Sequence, residues 1–207
     1  MTPNAGDLPS QECMPVAEAL RVLAELRRDE DVLVTNQASA RLWPTLSDHP
    51  LDLNYNPSTM GGAIPLALGL ALAKPQREII VVSGEGSLLM SLGSLVTVVG
   101  SGATNITIVL LDNGMYEVTG GQATPATQIP VDFAALARAA GFPTAVHHAN
   151  LSRWRDQAPA ELSSLGPRLI WLQVGPTDKQ ILQAPSGDIK PRIARLRDAL
   201  TEIQPYT

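Results

Sequence analysis

Glu85 sits between two glycines in Ser83-Gly84-Glu85-Gly86-Ser87, and Asn113 follows an aspartate in Asp112-Asn113-Gly114. Each is preceded by an apolar, β-branched run, Ile79 to Val82 and Ile106 to Leu111, the composition of a buried strand. A carboxylate and an amide carbonyl are hard oxygen ligands, suited to Mg2+ or Ca2+. Mg2+ takes few protein ligands and completes its octahedron with phosphate oxygens and water. Glycines beside Glu85 let the backbone approach an anion closely. A helix opening near Ser87 would add free N–H groups and a positive dipole end. These residue types together suggest a metal-bridged diphosphate site.

The elements that must position them are legible. An apolar stretch without proline runs from Leu88 to Gly100, so Ile79 to Leu111 reads as strand, tight turn, helix and strand, one βαβ unit. Its strands run parallel, which brings their carboxyl ends, and so Glu85 and Asn113, to one edge of the sheet. Ligands of open α/β sheets bind outside that edge. Two familiar phosphate motifs are absent. The dinucleotide fingerprint needs glycine where Leu89 stands, and there is no Gly-Lys-Ser/Thr. Glu85 alone would be a solvated turn residue and Asn113-Gly114 alone a turn; together they favour a ligand site.

Gly84-Glu85-Gly86-Ser87, followed by Asp112-Asn113, resembles the GDG…NN motif of thiamine-diphosphate enzymes. The likeness extends upstream through Ser58-Thr59-Met60-Gly61-Gly62-Ala63-Ile64-Pro65 and downstream through Asn113 to Gln122. It covers most of the chain from about Asp31 to Gly141 and is similar to the diphosphate-binding half of phosphonopyruvate and sulfopyruvate decarboxylases. The sulfopyruvate enzyme resembles it most, because there this half can be a separate β subunit. The resemblance implies that Glu85, where the family usually has Asp, is the metal carboxylate. It implies that Asn113 gives its side-chain oxygen and Met115 its backbone oxygen to Mg2+. Gly86 and Ser87 would contact the diphosphate, Met60 would lie under the thiazolium, and Gly61 and Gly84 beside them would belong to the cofactor-binding residues. Tyr116 would face the bound molecules, and Thr35 and Asn36, at the end of an earlier strand, would touch the diphosphate. From bare sequence, Asn36 or Ser39 is equally a helix cap, and Met60 alone would be core. Glu117 is a candidate proton relay or a solvated carboxylate.

With 207 residues, the chain has the size of one α/β domain. Aromatic residues make up 4% against 44% hydrophobic, so the core must be aliphatic. A net charge of -5 without a Lys/Arg stripe argues against a nucleic-acid partner. The single cysteine, Cys13, excludes an internal disulfide framework and fits a reducing compartment. The first residues lack a basic, apolar signal segment, and the longest apolar run, 63 to 73, is too short for a bilayer. The expectation is a cytoplasmic protein without a membrane partner.

Residues 1 to 14 read as a loose arm, and 15 to 207 as the domain. Helices are expected over 15–28, 61–74 (apolar all round, hence buried), 131–141, 151–165 and 191–203. Strands are expected near 32–35, 79–83, 106–111, 144–147 and 168–174, with a short one at 51–53. The long Gly- and Thr-rich stretch from Asn113 to Pro130 reads as a functional or mobile loop. His147 and His148, adjacent on a strand, point to opposite faces and cannot easily share a metal; they read as ordinary surface or interface histidines. The fold class is α/β: a single domain, a mostly parallel sheet of about six strands with helices on both faces, which the resemblance identifies as a thiamine-diphosphate-binding fold.

The function implied is the cofactor-binding subunit of a decarboxylase acting on a small 2-oxo acid. The glutamate that activates the cofactor in this family comes from a pyrimidine-binding domain that nothing here matches. It would have to come from an α-subunit partner in a hetero-oligomer, and self-association is also expected. A sulfonate or phosphonate substrate would want an Arg or Lys, and none lies between Arg77 and Arg138. Alternatives are an acetolactate-synthase-like carboligase subunit, a non-catalytic cofactor-binding scaffold, or an α/β domain binding another phosphorylated ligand without Mg2+.

Overall fold

The computed structural model describes residues 13–185 and 187–201. Proline opens the first helix and supplies no N–H that needs a partner; α1 (Val16–Leu26) buries Ala19, Leu20, Val22 and Leu23. Then come β1 (Val32–Asn36), α2 (Gln37–Leu42), β2 (Asp52–Tyr55), α3 (Ala63–Ala73), β3 (Ile79–Gly84), α4 (Glu85–Leu89), α5 (Ser94–Gly100) and β4 (Ile106–Asp112). A small excursion follows: β5 (Met115–Tyr116), β6 (Gln122–Ala123) and α6 (Pro125–Gln128). The chain continues through α7 (Phe133–Ala140), β7 (Thr144–His148), α8 (Leu151–Leu162), β8 (Arg168–Gln173), α9 (Lys179–Gln183) and α10 (Lys190–Thr201).

Six strands form one parallel sheet in the order β2-β1-β3-β4-β8-β7, with β3 paired to β4 from Ile79–Ile106 to Gly84–Leu111. Both faces are covered, which is why the strands read as continuous apolar runs. Val34, Val81 and Ile108 face one core with Ala67, Leu95 and Phe133. Leu33, Ile80 and Val109 face the other with Leu20, Leu23 and Trp154. All six expected strands are present, β3 and β4 are parallel as expected, and their pairing puts Gly84 and Leu111 side by side.

Four details differ from the sequence reading. The single helix expected from the Ser87 turn to Gly100 is two: turns at Met90–Gly93 end α4 and start α5. The stretch after Asn113 is not an open loop, because Gly114 accepts from Thr124 N–H and Thr127 Oγ1 and folds it into a hairpin. Helix α3 is buried only on its inner face, and Leu72 is 55% exposed; no described element of this chain covers the outer face. The loose arm expected over 1–14 falls outside the described residues up to residue 12, whereas Met14 is bridged to Val174 and buried. Among the described residues no helix is long and apolar enough to cross a membrane.

Candidate functional site

At the carboxyl edge of the sheet, Glu85 stands at the start of α4, directly after β3, with 1% of its surface exposed. Its Oε1 has no hydrogen-bond partner. Burial, and then the charge of Asp112, push its carboxyl up to about 7, against smaller opposing pulls from backbone N–H groups and Thr124. A buried carboxylate without a counter-charge prefers to keep its proton; a cation at Oε1 would remove that preference. Asp112, at the end of the neighbouring strand, is also raised by burial, while Trp171 Nε1 donates to its Oδ2 at 3.0 Å and Gly114 N–H to its Oδ1 at 3.2 Å.

The expected site residues converge. Glu85, Gly84, Gly86, Ser87, Asn36, Met60, Asn113, Met115, Tyr116 and Glu117 line one pocket. Ser87 Oγ is the hub of its floor: it accepts from Gly61 N–H at 2.9 Å and from Asn36 Nδ2 at 3.3 Å. Gly61 therefore joins the site through Ser87 rather than by lining it, and its φ of +81 suits glycine. Asn113 Oδ1 accepts from Met115 N–H at 3.0 Å, an Asx turn that fixes the amide and leaves its oxygen a second lone pair. Carboxylate, amide and backbone oxygens form a donor set that fits a hard divalent cation. Among the described residues no three His, Cys, Asp or Glu side chains gather to hold a metal by themselves. A cation at Glu85 would therefore complete its shell with ligand and water oxygens.

Three expectations are refined. Thr35 lies outside the lining: it is fully buried and its hydroxyl donates to Asn54 Oδ1 at 2.8 Å. Gly86 gives clearance first to a side chain, since a Cβ there would lie 2.4 Å from Tyr116 Cε1. Glu117 is at the pocket wall, but Thr177 N–H donates to its Oε1 at 2.5 Å and Thr177 Oγ1 is 3.0 Å from its Oε2. Both oxygens are engaged, so it pins the hairpin to the segment after β8. The cap reading of the turn after β1 is also present: Ser39 Oγ accepts from Asn36 N–H and donates to Asn36 O.

Gln37 is the residue the sequence reading passed over. It lines the pocket, its φ is +51, and its Nε2 is buried without a partner. A non-glycine residue in the left-handed region costs conformational energy and concentrates at functional sites. No sequence pattern announces that conformation. Thr177 was equally hidden, because 60 residues separate it from Glu117. His147 and His148 do point apart, as expected. His147 stacks on Trp171 at 3.8 Å. His148, however, is buried rather than superficial, because Glu161 Oε2 lies 2.8 Å from its Nε2.

Residues 35–170 match the model of the thiamine pyrophosphate enzyme, C-terminal TPP binding domain. A phosphonopyruvate decarboxylase of Streptomyces viridochromogenes is 40% identical over 162 residues, covering 78% of this chain and 40% of that one. A sulfopyruvate decarboxylase subunit beta of Methanothermobacter thermautotrophicus is 34% identical over 166 residues, covering 79% and 84%. The chain thus spans less than half of the phosphonopyruvate decarboxylases it matches, at 40% and 46% of their lengths, and most of the beta subunit. The fold is shared with a benzoylformate decarboxylase of Polynucleobacter necessarius at a TM-score of 0.67 and 20% identity, over 84% of this chain and 35% of that one.

Proposed function

This chain belongs to the thiamine pyrophosphate enzymes, carrying their C-terminal TPP binding domain, and from that premise we propose that it is the Mg2+- and cofactor-binding part of a 2-oxo acid decarboxylase that works with a pyrimidine-binding partner. The observation that carries the proposal is the orphaned, buried Glu85 Oε1 beside Asn113 at the carboxyl edge. Glu85, the Asn113 amide oxygen and the Met115 carbonyl would hold Mg2+; Gly84, Gly86, Ser87 and Asn36 would receive the diphosphate. Bound thiamine diphosphate would supply a carbon nucleophile and the electron sink that decarboxylation needs.

The chain's own residues do the rest. Glu85 would meet the cation as a carboxylate, releasing any proton it holds to the medium, so that a buried charge costly on its own becomes a paired ligand. Ser87, already accepting from Gly61 and Asn36, keeps its hydroxyl hydrogen to donate to an anion. Met60 offers an apolar bed, and the hairpin that carries Met115, Tyr116 and Val118 closes the pocket wall against water. Leu72, Met90 and Val96, at 55%, 55% and 63% exposure, support a partner: exposed apolar surface of this kind fits a subunit contact. The activating glutamate is expected from that partner, in keeping with the likeness to a beta subunit. Self-association remains part of the proposal.

Calorimetric titration with thiamine diphosphate, with Mg2+ and then with chelator, tests this. Metal-dependent binding is expected, weakened about a hundredfold in Glu85→Ala and Asn113→Ala, the loss of one charged or chelating ligand contact. Equal binding without a divalent cation, or indifference to both substitutions, would sink it.

A further inference from the structure

No positive side chain awaits a diphosphate in this pocket. Among the described residues Glu85 and Glu117 are its charged lining groups, and no Lys, Arg or His lines it; Arg41 and Lys179 line the adjoining cavity, again with Glu117. A third carboxylate stands beside Glu85. Strands β3 and β4 pair as far as Gly84 and Leu111, so Glu85 and Asp112 leave neighbouring strands side by side, and Asp112 is the charge that bears on Glu85. Both oxygens of Asp112 accept from N–H groups, Oδ2 from Trp171 Nε1 at 3.0 Å and Oδ1 from Gly114 at 3.2 Å, as those of an ionised carboxylate do. The indole is itself fixed on two sides. His147 from β7 stacks on it with 3.8 Å between ring centres, and Phe133 from α7 meets it edge-on at 5.4 Å, contacts that hold a ring's orientation. Neither Glu85 nor Asp112 forms an ion pair among the described residues.

We propose that the site fills in a fixed order, the divalent cation first and the diphosphate second, and that Trp171 is the positioning residue that enables the first step by holding Asp112 as a second negative charge beside Glu85; this rests on the cofactor-binding reading above. Two uncompensated carboxylates in a partly desolvated place attract a divalent cation and repel a bare diphosphate. Glu85, whose Oε1 is free, meets the cation directly. Asp112 has its oxygens taken up by N–H groups and acts through space. Once the cation is seated, the sign of the local charge favours the diphosphate, and the backbone N–H groups around Gly86 and the Ser87 hydroxyl complete its binding.

The test uses the full chain at one pH above the range in which Glu85 titrates. Thiamine diphosphate affinity at saturating Mg2+ is read first and judges the cofactor reading on its own. Mn2+ alone and thiamine diphosphate alone are then titrated calorimetrically. Mn2+ is expected to bind without cofactor, and thiamine diphosphate to bind only once the cation is present. Asp112→Asn keeps an acceptor for Gly114 and removes the charge; Trp171→Phe keeps an aromatic ring in the stack and removes the N–H. Each should weaken Mn2+ alone on the order of tenfold, a through-space effect of one charge, with little change in melting temperature or in thiamine diphosphate affinity at saturating Mn2+. The double variant should be no weaker than Asp112→Asn, because the indole acts through that carboxylate. The unaltered chain gives a reading that needs no variant: Mn2+ alone should quench indole emission from Trp171, while Trp43 and Trp154, buried in the core on the other face of the sheet, keep theirs. Mn2+ that binds only with thiamine diphosphate present, or thiamine diphosphate that binds as well without a cation, overturns the order. Unchanged Mn2+ affinity in Asp112→Asn overturns the role of its charge, and losses that add in the double variant overturn the role of Trp171. Failure to bind thiamine diphosphate at saturating Mg2+ would sink the cofactor reading, and the proposal with it.

Discussion

The two edges of the sheet treat their polar side chains oppositely. At the amino edge, Arg27 pairs with Asp52 and donates to Asp31 O, and Arg28 donates to Asp31 at 2.8 Å. Arg168 donates to Glu78 at 2.8 Å, to Thr107 at 2.9 Å and to Ser164 O at 2.7 Å. Asp52 is further bonded by Trp43 Nε1 and Ser47. At the carboxyl edge, Asn36, Gln37, Ser83 and Glu85 each leave a buried polar atom without a partner. Buried polar groups are ordinarily satisfied. A network that closes on itself holds strands together; one left open waits for something the chain does not contain. The amino edge is read as structure and the carboxyl edge as site.

The comparison breaks most visibly at Arg168. Arg168→Met strands Glu78 and Thr107 in a nearly buried position and should cost about 3 kcal/mol, as removing one partner of a buried pair does. Thermal unfolding measures it, and the folded fraction should bind thiamine diphosphate normally. A loss of binding without loss of stability would reverse the assignment of the two edges.

Second in size is the pH dependence of the ligand-free protein. Glu85 titrates near 7 in the fold against an ordinary 4.5, so between those values the folded chain holds more protons than the unfolded one. Stability is then full below about 4.5 and falls as pH rises towards about 7, and Asp112, raised in the same direction, adds to the slope. Melting temperature across that range should drop by several degrees, and Glu85→Gln should flatten the drop. With Mg2+ and cofactor the sign changes: affinity should increase with pH through the same window, because the cation takes the carboxylate. A flat profile in the unaltered protein would mean that Glu85 is already neutralised.

Smaller still is Gly86→Ala. Its Cβ would come within 2.7 Å of two Tyr116 ring carbons, so the ring must swing away, at about 1–3 kcal/mol for an overpacked contact. Tyr116 fluorescence and solvent accessibility should rise together. The smallest effect belongs to Gln37→Gly, which relieves a positive φ worth about 1–2 kcal/mol against about 0.4–1 kcal/mol of added unfolded-state entropy, and should raise stability slightly while weakening the site. A variant that is both more stable and equally competent would remove Gln37 from the candidate machinery.

The local order of this chain is written in it. Period, β-branching, Gly84-Glu85-Gly86, the Asp112-Asn113-Gly114 turn and the closing Gly141 all act within a few residues, so strands, helices and the edge that gathers Glu85 and Asn113 follow from sequence. The break in the helix at Met90–Gly93 was not legible, because no proline marks it and Leu88, Leu95 and Val98 are buried in one core on either side of it. The two-sided burial of α3 was over-read for a different reason: composition states that a face is apolar, not what covers it. The Glu117–Thr177 clasp and the left-handed Gln37 were beyond reach altogether. Each depends on how distant segments meet once the sheet is assembled. Residue types and spacing determined which chemistry the chain offers. Only packing across the sheet decided which of those groups are left unsatisfied, because satisfaction is a property of neighbours in space.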